Sequence, residues 1–233
     1  MIYTPASPVE WPKGSWPIVN GTGTIDEHMI AKTLPLKPFQ KDNNPSTDFN
    51  EKELGFACNY LRNPDMKHYT LEESPGYLRL KASSIALTEI DSPTFVGTRQ
   101  DHMFETVNTK AEISKRSKGF RGGLTVFQNA TNHYTLELIH KNGATYVQVG
   151  VRLGLLHYIA KEQRISSNSA ILKVVTTKDA YQFYCNEKHL IDLDTRYLSS
   201  ETAGGFTGVY FALFAYAPNN NGAIDFDYYH VDY

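Results

Sequence analysis

The stretch that decides the fold is residues 123–151, GLTVFQNATNHYTLELIHKNGATYVQVGV. Apolar and polar residues alternate in three runs of it, at 123–127, 133–140 and 145–151. Alternation with a period of two is typical of β-strands that bury one face. The connections at 129–132 and 141–143 are rich in Asn and Gly, which favour the tight turns of β-hairpins. The stretch therefore predicts three successive antiparallel strands.

The same texture continues on both sides of this stretch. Turn residues recur about every ten residues, which is typical of β-sandwiches and barrels. No window keeps helical apolar spacing for more than about two turns. Further strands are predicted at 77–81, 110–114, 172–176, 181–185, 208–216 and 224–233. We therefore expect an all-β domain over residues 46–233, built as a sandwich of two packed antiparallel sheets.

The first 45 residues differ from the rest in their density of proline. Proline prevents regular helix and interrupts the hydrogen bonding of a strand ladder. The sequence predicts that residues 1–45 form an extended arm that lies on the sandwich. The prolines concerned are Pro5, Pro8, Pro12, Pro17, Pro35, Pro38 and Pro45.

Composition limits the classes of function. The 233 residues carry a formal net charge of −2, so no basic field attracts nucleic acid or an anionic membrane. Aromatic residues make up 12% of the chain, which suits both strand packing and the stacking of sugar rings.

The N-terminus lacks a signal-peptide pattern, and a chain that is complete as given is expected to be cytoplasmic. Cys58 and Cys185 are expected to be buried thiols rather than a disulfide.

Several short strings occur together in a known order. Through these strings, residues 14–233 resemble part of glycoside hydrolase family 43, of the β-xylosidase and arabinofuranosidase type. The part resembled is the end of the catalytic β-propeller and the concanavalin A-like β-sandwich that follows it. The ordered set carries the resemblance, since each string alone is weak. The strings are WPIVNG (16–21), DF (48–49), LRNP (61–64), PGYLRL (75–80), TFVGTRQ (94–100), GL (123–124), NHY (132–134) and GFTG (205–208).

The resemblance implies a division of labour along the chain. Residues 1–45 resemble the end of the propeller and a linker, and residues 46–233 resemble the jelly-roll sandwich. Glycoside hydrolysis uses paired carboxylates, and in this family these carboxylates belong to the propeller. Too few residues precede Trp16 to form a propeller. We therefore assign no catalytic residue here, leave enzymatic activity undecided, and expect the chain alone not to cleave glycosides in the family's way.

Phe206 is the most specific candidate for a functional position. In the family, the phenylalanine at this place protrudes from the sandwich and bounds the leaving-group subsite of the propeller's pocket. The glycines around Phe206 permit a loop that approaches a partner closely. The resemblance therefore implies that Phe206 contributes to the substrate pocket of a propeller partner. The alternative is that its ring packs against its own turn.

A structural calcium is the second expectation that the resemblance carries. Concanavalin-like sandwiches often hold calcium between the first and last strands, and Asp48 and Asp225 lie near the two ends of the domain. Calcium needs several oxygen ligands, so backbone carbonyls would complete the shell. The alternative is two aspartates on a solvated edge.

One departure from the family is Cys58, which stands where the family often has Trp.

Three functions remain open at this point. The chain is an accessory module that docks on a β-propeller or forms a homo-oligomer, a free-standing carbohydrate-binding protein, or a sandwich recruited as an enzyme of unrelated chemistry. The carbohydrate contacts expected for the second function are Tyr134, Tyr146 and Tyr158. The histidines at 133, 157 and 189 lack the spacing of metal ligands and are interpreted as strand or surface residues.

Overall fold

The computed structural model describes residues 8–21, 45–55 and 57–233. Regular structure in these residues is almost entirely β, with one short α-helix, α1 (Ser200–Ala203), and two 3-10 helices at Met66–His68 and Thr195–Leu198. In chain order the strands are β1 Val9–Glu10, β2 Ile18–Val19, β3 Asn59–Tyr60, β4 Tyr69–Thr70, β5 Leu78–Lys81, β6 Thr94–Arg99, β7 Thr106–Lys115, β8 Arg121–Asn129, β9 Asn132–Lys141, β10 Ala144–Leu153, β11 Leu156–Ile165, β12 Ser169–Thr176, β13 Ala180–Cys185, β14 Lys188–Asp194, β15 Tyr210–Tyr216, β16 Ala223–Phe226 and β17 His230–Asp232.

Residues 8–21 and the residues from 45 onward belong to two separate compact units. In the first unit, β1 and β2 form a short antiparallel pair with Val9 opposite Val19. The predicted arm over residues 1–45 falls largely on residues 1–7 and 22–44, which lie outside the described residues. The arm therefore stays a prediction.

The second unit is a sandwich of two sheets, as the alternation predicts. The first sheet has the strand order β11-β10-β9-β8-β15-β6-β3. The second sheet has the order β14-β13-β12-β7-β16-β5-β4, and β17 pairs with β7 beside β16. All of these strand pairings are antiparallel. The predicted all-β sandwich is confirmed.

The two hairpins predicted in the opening stretch are present. Between β9 and β10, Asn142 and Gly143 have φ values of 52° and 73°, the paired positive values of a type I′ turn. Between β8 and β9, the Asn129 side chain accepts hydrogen bonds from the backbone N–H groups of Thr131 and Asn132, at 3.0 and 2.8 Å. Local turn chemistry thus sets the register of the three strands.

The main core lies between the inner faces of the two sheets. Leu124, Leu136 and Val149 of the first sheet pack in one cluster with Leu172 and Phe183 of the second. Burial of these apolar side chains is the main force that holds the sheets together.

A smaller apolar cluster lies on the outer face of the first sheet. It contains Phe95, Phe127, Ala212 and Phe214, and Leu87 covers it from the connection between β5 and β6. Beyond this cluster, the outer face continues as a polar surface over β8, β9 and β10.

Both cysteines are free thiols, as expected from the sequence; Cys185 is buried as expected, whereas Cys58 is only half-buried. Among the described residues, the structure has no helix with the length and apolar character needed to cross a membrane.

Candidate functional site

Phe206 lies at the tip of a glycine-rich loop between α1 and β15, and 91% of its surface is exposed. The preceding Gly204 and Gly205 have φ values of 75° and 85°, and Gly208 has 73°. Residues with a Cβ rarely adopt such values, so glycine at these positions makes the loop conformation accessible. The ring projects into solvent instead of packing against its own turn.

Side chains at the end of β8 fix the base of this loop. The Asn129 amide donates to the carbonyl of Ala203 at 2.9 Å, and the Gln128 amide donates to the carbonyl of Gly204 at 3.2 Å. The loop therefore has a defined position relative to the first sheet while its aromatic tip stays exposed.

Other exposed apolar side chains lie on loops tied to the residues that follow β8. The backbone N–H of Gly154 donates to the Thr131 carbonyl at 2.8 Å, which holds the tight turn that carries Leu155 and Leu156. The Asn132 amide donates to the Tyr197 carbonyl at 3.0 Å. Leu155 is 96% exposed, and Leu156 and Tyr197 are also exposed. We call these three residues together with Phe206 the end patch, since all lie at one end of the first sheet.

The three tyrosines predicted to contact carbohydrate do not form a common platform. Tyr134 is 1% exposed, packs in the main core and donates its hydroxyl to the Asp194 carbonyl at 2.9 Å. Its proposed role in sugar contact is therefore wrong, because a buried ring cannot stack on a sugar. Tyr158 pairs with the core residue Val151 and projects from the same face of the sheet.

Tyr146 alone of the three shares the outer face with the polar residues of β9 and β10. The ammonium of Lys141 lies 4.9 Å from the centre of its ring. A cation–π contact already covers one face of this ring, so that face is not open to a ligand. A sugar contact by Tyr146 or Tyr158 stays a prediction.

A cavity of about 400 Å³ lies on the outer face of the first sheet, beside residues 86–89. Most of its polar lining comes from strand positions that project away from the core, because these are paired across β15, β8, β9, β10 and β11 with residues of the same face. The polar lining residues are Thr88, Glu89, Arg121, His133, Thr135, Glu137, Arg152, His157 and Tyr216. We call this cavity the sheet pocket.

His133 is a neutral, buried acceptor in the sheet pocket. Its Nδ1 lies 3.1 Å from the Asn129 carbonyl, so this nitrogen carries the proton and donates. The ring also stacks on Phe127, with 5.5 Å between ring centres. Burial lowers the pKa of His133 to about 4, and Nε2 is left as a hydrogen-bond acceptor at neutral pH.

Glu137 lies on the same face of β9 as His133, beyond Thr135, and is also buried. Burial raises the pKa of its carboxyl, and the positive charge of Arg121 opposes that shift. The Gln148 amide, directly opposite on β10, donates to the carboxyl. Glu137 is thus a fixed polar group of the sheet pocket.

Sequence reasoning missed the sheet pocket. It treated His133 and His157 as scattered, whereas His133 and Arg152 are paired across β9 and β10, and Arg152 and His157 across β10 and β11. The alternation contained a signal for this pocket. His133, Thr135 and Glu137 occupy every second position of β9, so the sequence places their side chains on one face of the strand.

The two aspartates expected to bind calcium are engaged by basic side chains. Both oxygens of Asp225 accept hydrogen bonds from the Arg79 guanidinium at 2.7 Å, and the Ser114 hydroxyl donates to Asp225 at 3.0 Å. Asp48 lies 2.7 Å from Nε2 of His230.

These surroundings do not fit a calcium shared by Asp48 and Asp225. Within residues 8–21, 45–55 and 57–233, no group of three or more His, Cys, Asp or Glu side chains is placed to hold a metal. A cation bound by Asp225 would also meet the positive charge of Arg79. Both carboxylate oxygens of Asp225 and one of Asp48 are therefore already engaged by basic side chains.

Comparison with known sequences gives a family for this fold. The family model of the β-xylosidase C-terminal concanavalin A-like domain matches residues 46–232. A non-reducing end α-L-arabinofuranosidase of Bacteroides ovatus is 30% identical over an alignment of 231 residues, which covers 96% of this chain and 43% of that protein. A xylosidase/arabinosidase of Butyrivibrio fibrisolvens is 25% identical and is matched over 45% of its length by 96% of this chain.

Solved structures give the same result. The xyloglucan PUL GH43B protein of Bacteroides ovatus superposes with a TM-score of 0.82 at 28% identity, over 97% of this chain and 46% of that one. The GH43 protein BlXynB of Bacillus licheniformis superposes with a TM-score of 0.79 at 25% identity, over the same shares of the two chains. The chain thus spans less than half the length of each of these relatives, and by sequence and fold it belongs to the family of β-xylosidase C-terminal concanavalin A-like domains.

Proposed function

We propose that this sandwich is an accessory module of xylosidase or arabinofuranosidase action, which docks through its end patch on a family 43 β-propeller. In the docked state Phe206 bounds the leaving-group subsite of the propeller's pocket. The observation that carries the proposal is the exposed Phe206 ring on a loop whose base is fixed by Asn129 and Gln128.

The exposure of the end patch supports a docking role. Phe206, Leu155, Leu156 and Tyr197 are large and apolar, and their loops converge on a single turn. Clustered exposed apolar side chains mark interaction surfaces, since burying them on a partner removes apolar area from water. Because hydrogen bonds already fix the loops, docking orders few additional groups.

The chemistry of Phe206 suits the wall of a sugar pocket. An aromatic ring stacks on the apolar face of a pyranose and excludes water from the bond to be cleaved. It supplies no proton transfer, so the acid and the base of hydrolysis belong to the propeller in this proposal. Phe206 would therefore affect substrate binding and the exclusion of water rather than the chemical groups that react.

A binding titration tests the docking. The Bacteroides ovatus arabinofuranosidase, without the part that this chain matches, is titrated with the wild-type chain, with Phe206→Ala and with Ile90→Ala. Ile90 is a suitable control because it is 87% exposed on the connection between β5 and β6, outside the end patch. We expect saturable binding that Phe206→Ala weakens about tenfold or more, which is a loss of about 1.4 kcal/mol, and that Ile90→Ala leaves unchanged. Equal affinities of the two variants would contradict the proposal.

Carbohydrate binding by the chain itself is a second candidate function. The tyrosine platform that suggested it is not assembled, since Tyr134 lies in the core. The sheet pocket, with several polar groups that converge on one cavity, favours this function through different residues.

A further inference from the structure

We propose that the sheet pocket binds a carboxylate-bearing sugar, with Arg121 and Arg152 providing the positive charge that meets the carboxylate. This inference is independent of docking through the end patch, because Phe206, Leu155, Leu156 and Tyr197 do not line the pocket.

The two arginines of the pocket share it with the carboxyls of Glu89 and Glu137, and the charge of Arg121 acts on Glu137 without a direct contact. Within the described parts of the chain, neither forms an ion pair with a carboxylate, whereas Arg79 and Arg196 each pair with an aspartate. The Arg121 guanidinium lies over the Tyr216 ring, 4.6 Å from its centre. Nε of Arg152 is buried and has no hydrogen-bond partner.

A buried donor without a partner is costly, and a ligand oxygen would remove that cost. Guanidinium groups match the planar geometry of a carboxylate particularly well, because their N–H donors form a fixed fork. The two arginines therefore favour an anionic group on the ligand.

The rest of the lining suits the hydroxyl groups of a sugar. His133 presents Nε2 as an acceptor, Thr135 carries a hydroxyl and Glu137 carries a carboxyl that Gln148 fixes. Fixed acceptors next to unpartnered donors match a ligand that combines several hydroxyls with one acidic group.

The backbone keeps the pocket open at its floor. Gly150 lies opposite Thr135, and a Cβ at Gly150 would come within 2.6 Å of the Thr135 hydroxyl oxygen. A register shift between Val149 and Gly150 changes the pairing of β10 with β11 next to Arg152 and His157. Such bulges redirect side chains and are frequent next to binding sites.

The size of the pocket limits the ligand. Its volume of about 400 Å³ lies at the small end of the range of about 300–1,000 Å³ found for small-molecule sites. We therefore expect a monosaccharide acid rather than a long chain.

Calorimetric titration of the unmodified chain with D-glucuronate, at low ionic strength, tests this inference. D-glucose is the matched ligand, since it has the same ring and lacks the carboxylate. We expect glucuronate to bind at a ratio of one to one and at least tenfold more tightly than glucose. Inorganic phosphate should compete weakly, because it lacks the ring.

Variants assign the binding to the pocket. Arg121→Gln and Arg152→Gln are each expected to weaken glucuronate binding tenfold or more. Arg164→Gln is the control, because Arg164 pairs with Tyr146, lies on the same face of the first sheet and does not line the pocket. Circular dichroism melting of each variant verifies that it is folded.

The inference is overturned if neither sugar binds, if glucose binds as tightly as glucuronate, if phosphate competes as well as glucuronate, or if all three variants lose the same affinity. Because no propeller takes part in this titration, failure here leaves the docking proposal unaffected, and failure of docking leaves the sheet pocket unaffected.

Discussion

Phe206 and Phe211 show how position, rather than residue type, decides the role of a side chain. Phe206 is exposed on its loop, and Phe211, five residues later on β15, is completely buried in the main core. We expect Phe206→Ala to change the free energy of unfolding by less than about 0.5 kcal/mol, and Phe211→Ala to lower it by about 3–5 kcal/mol. Chemical denaturation gives both values. A loss of several kcal/mol for Phe206→Ala would place its ring in packing rather than in recognition.

Glu105 should make stability depend on pH. Burial raises the pKa of this carboxyl from 4.5 to about 7, although the backbone N–H groups of Asp101 and His102 donate to it. The folded state therefore holds a proton that the unfolded state releases, and the stability that this proton provides is full below pH 4.5 and is lost as the pH rises to about 7. Buried His133 acts in the opposite direction, because its pKa is lowered to about 4.

The variant Glu105→Gln isolates this contribution, since His133 is present in both proteins. Relative to the wild type, the free energy of unfolding of the variant should rise by up to about 3 kcal/mol between pH 4.5 and pH 7. Urea denaturation at several pH values measures the difference. A difference that does not vary with pH would show that Glu105 keeps its ordinary pKa.

The contact between Arg79 and Asp225 can be tested as an ion pair against the alternative of a calcium site. Because Arg79 occupies both carboxylate oxygens, we expect a chelator to leave the melting temperature unchanged. Asp225→Asn should lower the free energy of unfolding by about 1–3 kcal/mol, since it removes the closest anion of a largely covered guanidinium and leaves only Glu73, at 3.7 Å. A chelator that lowers the melting temperature would support the calcium expected from the sequence, because a ligand bound by the folded state alone stabilises it.

At the scale of elements, alternation predicted strands more reliably than it predicted faces. The run at 133–140 corresponds to β9, yet Tyr134 points into the core and the polar residues beside it point into the sheet pocket. Residues 132–138 are all buried, because the inner face of β9 meets the second sheet and its outer face is covered as well. Alternation with a period of two assigns side chains to two faces of a strand. When both faces are covered, it does not say which face packs in the core and which lines a pocket.

Two strands at the edges of the sheets, β11 and β14, escaped sequence reasoning. The strand β11 is mostly exposed and lies at the edge of the first sheet, so its side chains show little of the alternation that marks a half-buried strand. The strand β14, at the edge of the second sheet, places Leu190, Ile191 and Leu193 against the main core, but a register shift in its pairing with β13 interrupts the alternation. Pairing with β10 and β13 forms these strands, and such pairing is a tertiary effect that a local pattern does not contain.

The turn between β9 and β10 gives a test at this scale. Gly143 has a φ of 73° and open space around a potential Cβ, so Gly143→Ala introduces backbone strain without a clash. We expect it to lower the free energy of unfolding by about 1 kcal/mol. Gly55→Ala is the control, since Gly55 has equally open space and no positive φ, and it should be nearly neutral. Equal effects of the two substitutions would contradict the type I′ geometry.

For the whole molecule, the sequence predicted the two-sheet sandwich and the family, because both rest on patterns spread over most of the chain. The candidate sites were predicted less completely. Phe206 stands out through its flanking glycines, whereas the sheet pocket depends on residues from β8, β9, β10 and β11 that only the folded register brings together. Ion pairs such as that of Arg79 with Asp225 are likewise set by strand pairing across long stretches of sequence.

The most direct test of the docking proposal is the activity of a hybrid enzyme. In the hybrid, residues 46–233 of this chain replace the matching part of the Bacteroides ovatus arabinofuranosidase, so that the two parts are linked and affinity does not limit docking. We expect the hybrid to cleave an aryl α-L-arabinofuranoside. Phe206→Ala should lower its kcat/KM about tenfold or more without changing its melting temperature, and Ile90→Ala should change neither. An active hybrid in which Phe206→Ala leaves kcat/KM unchanged would contradict the account.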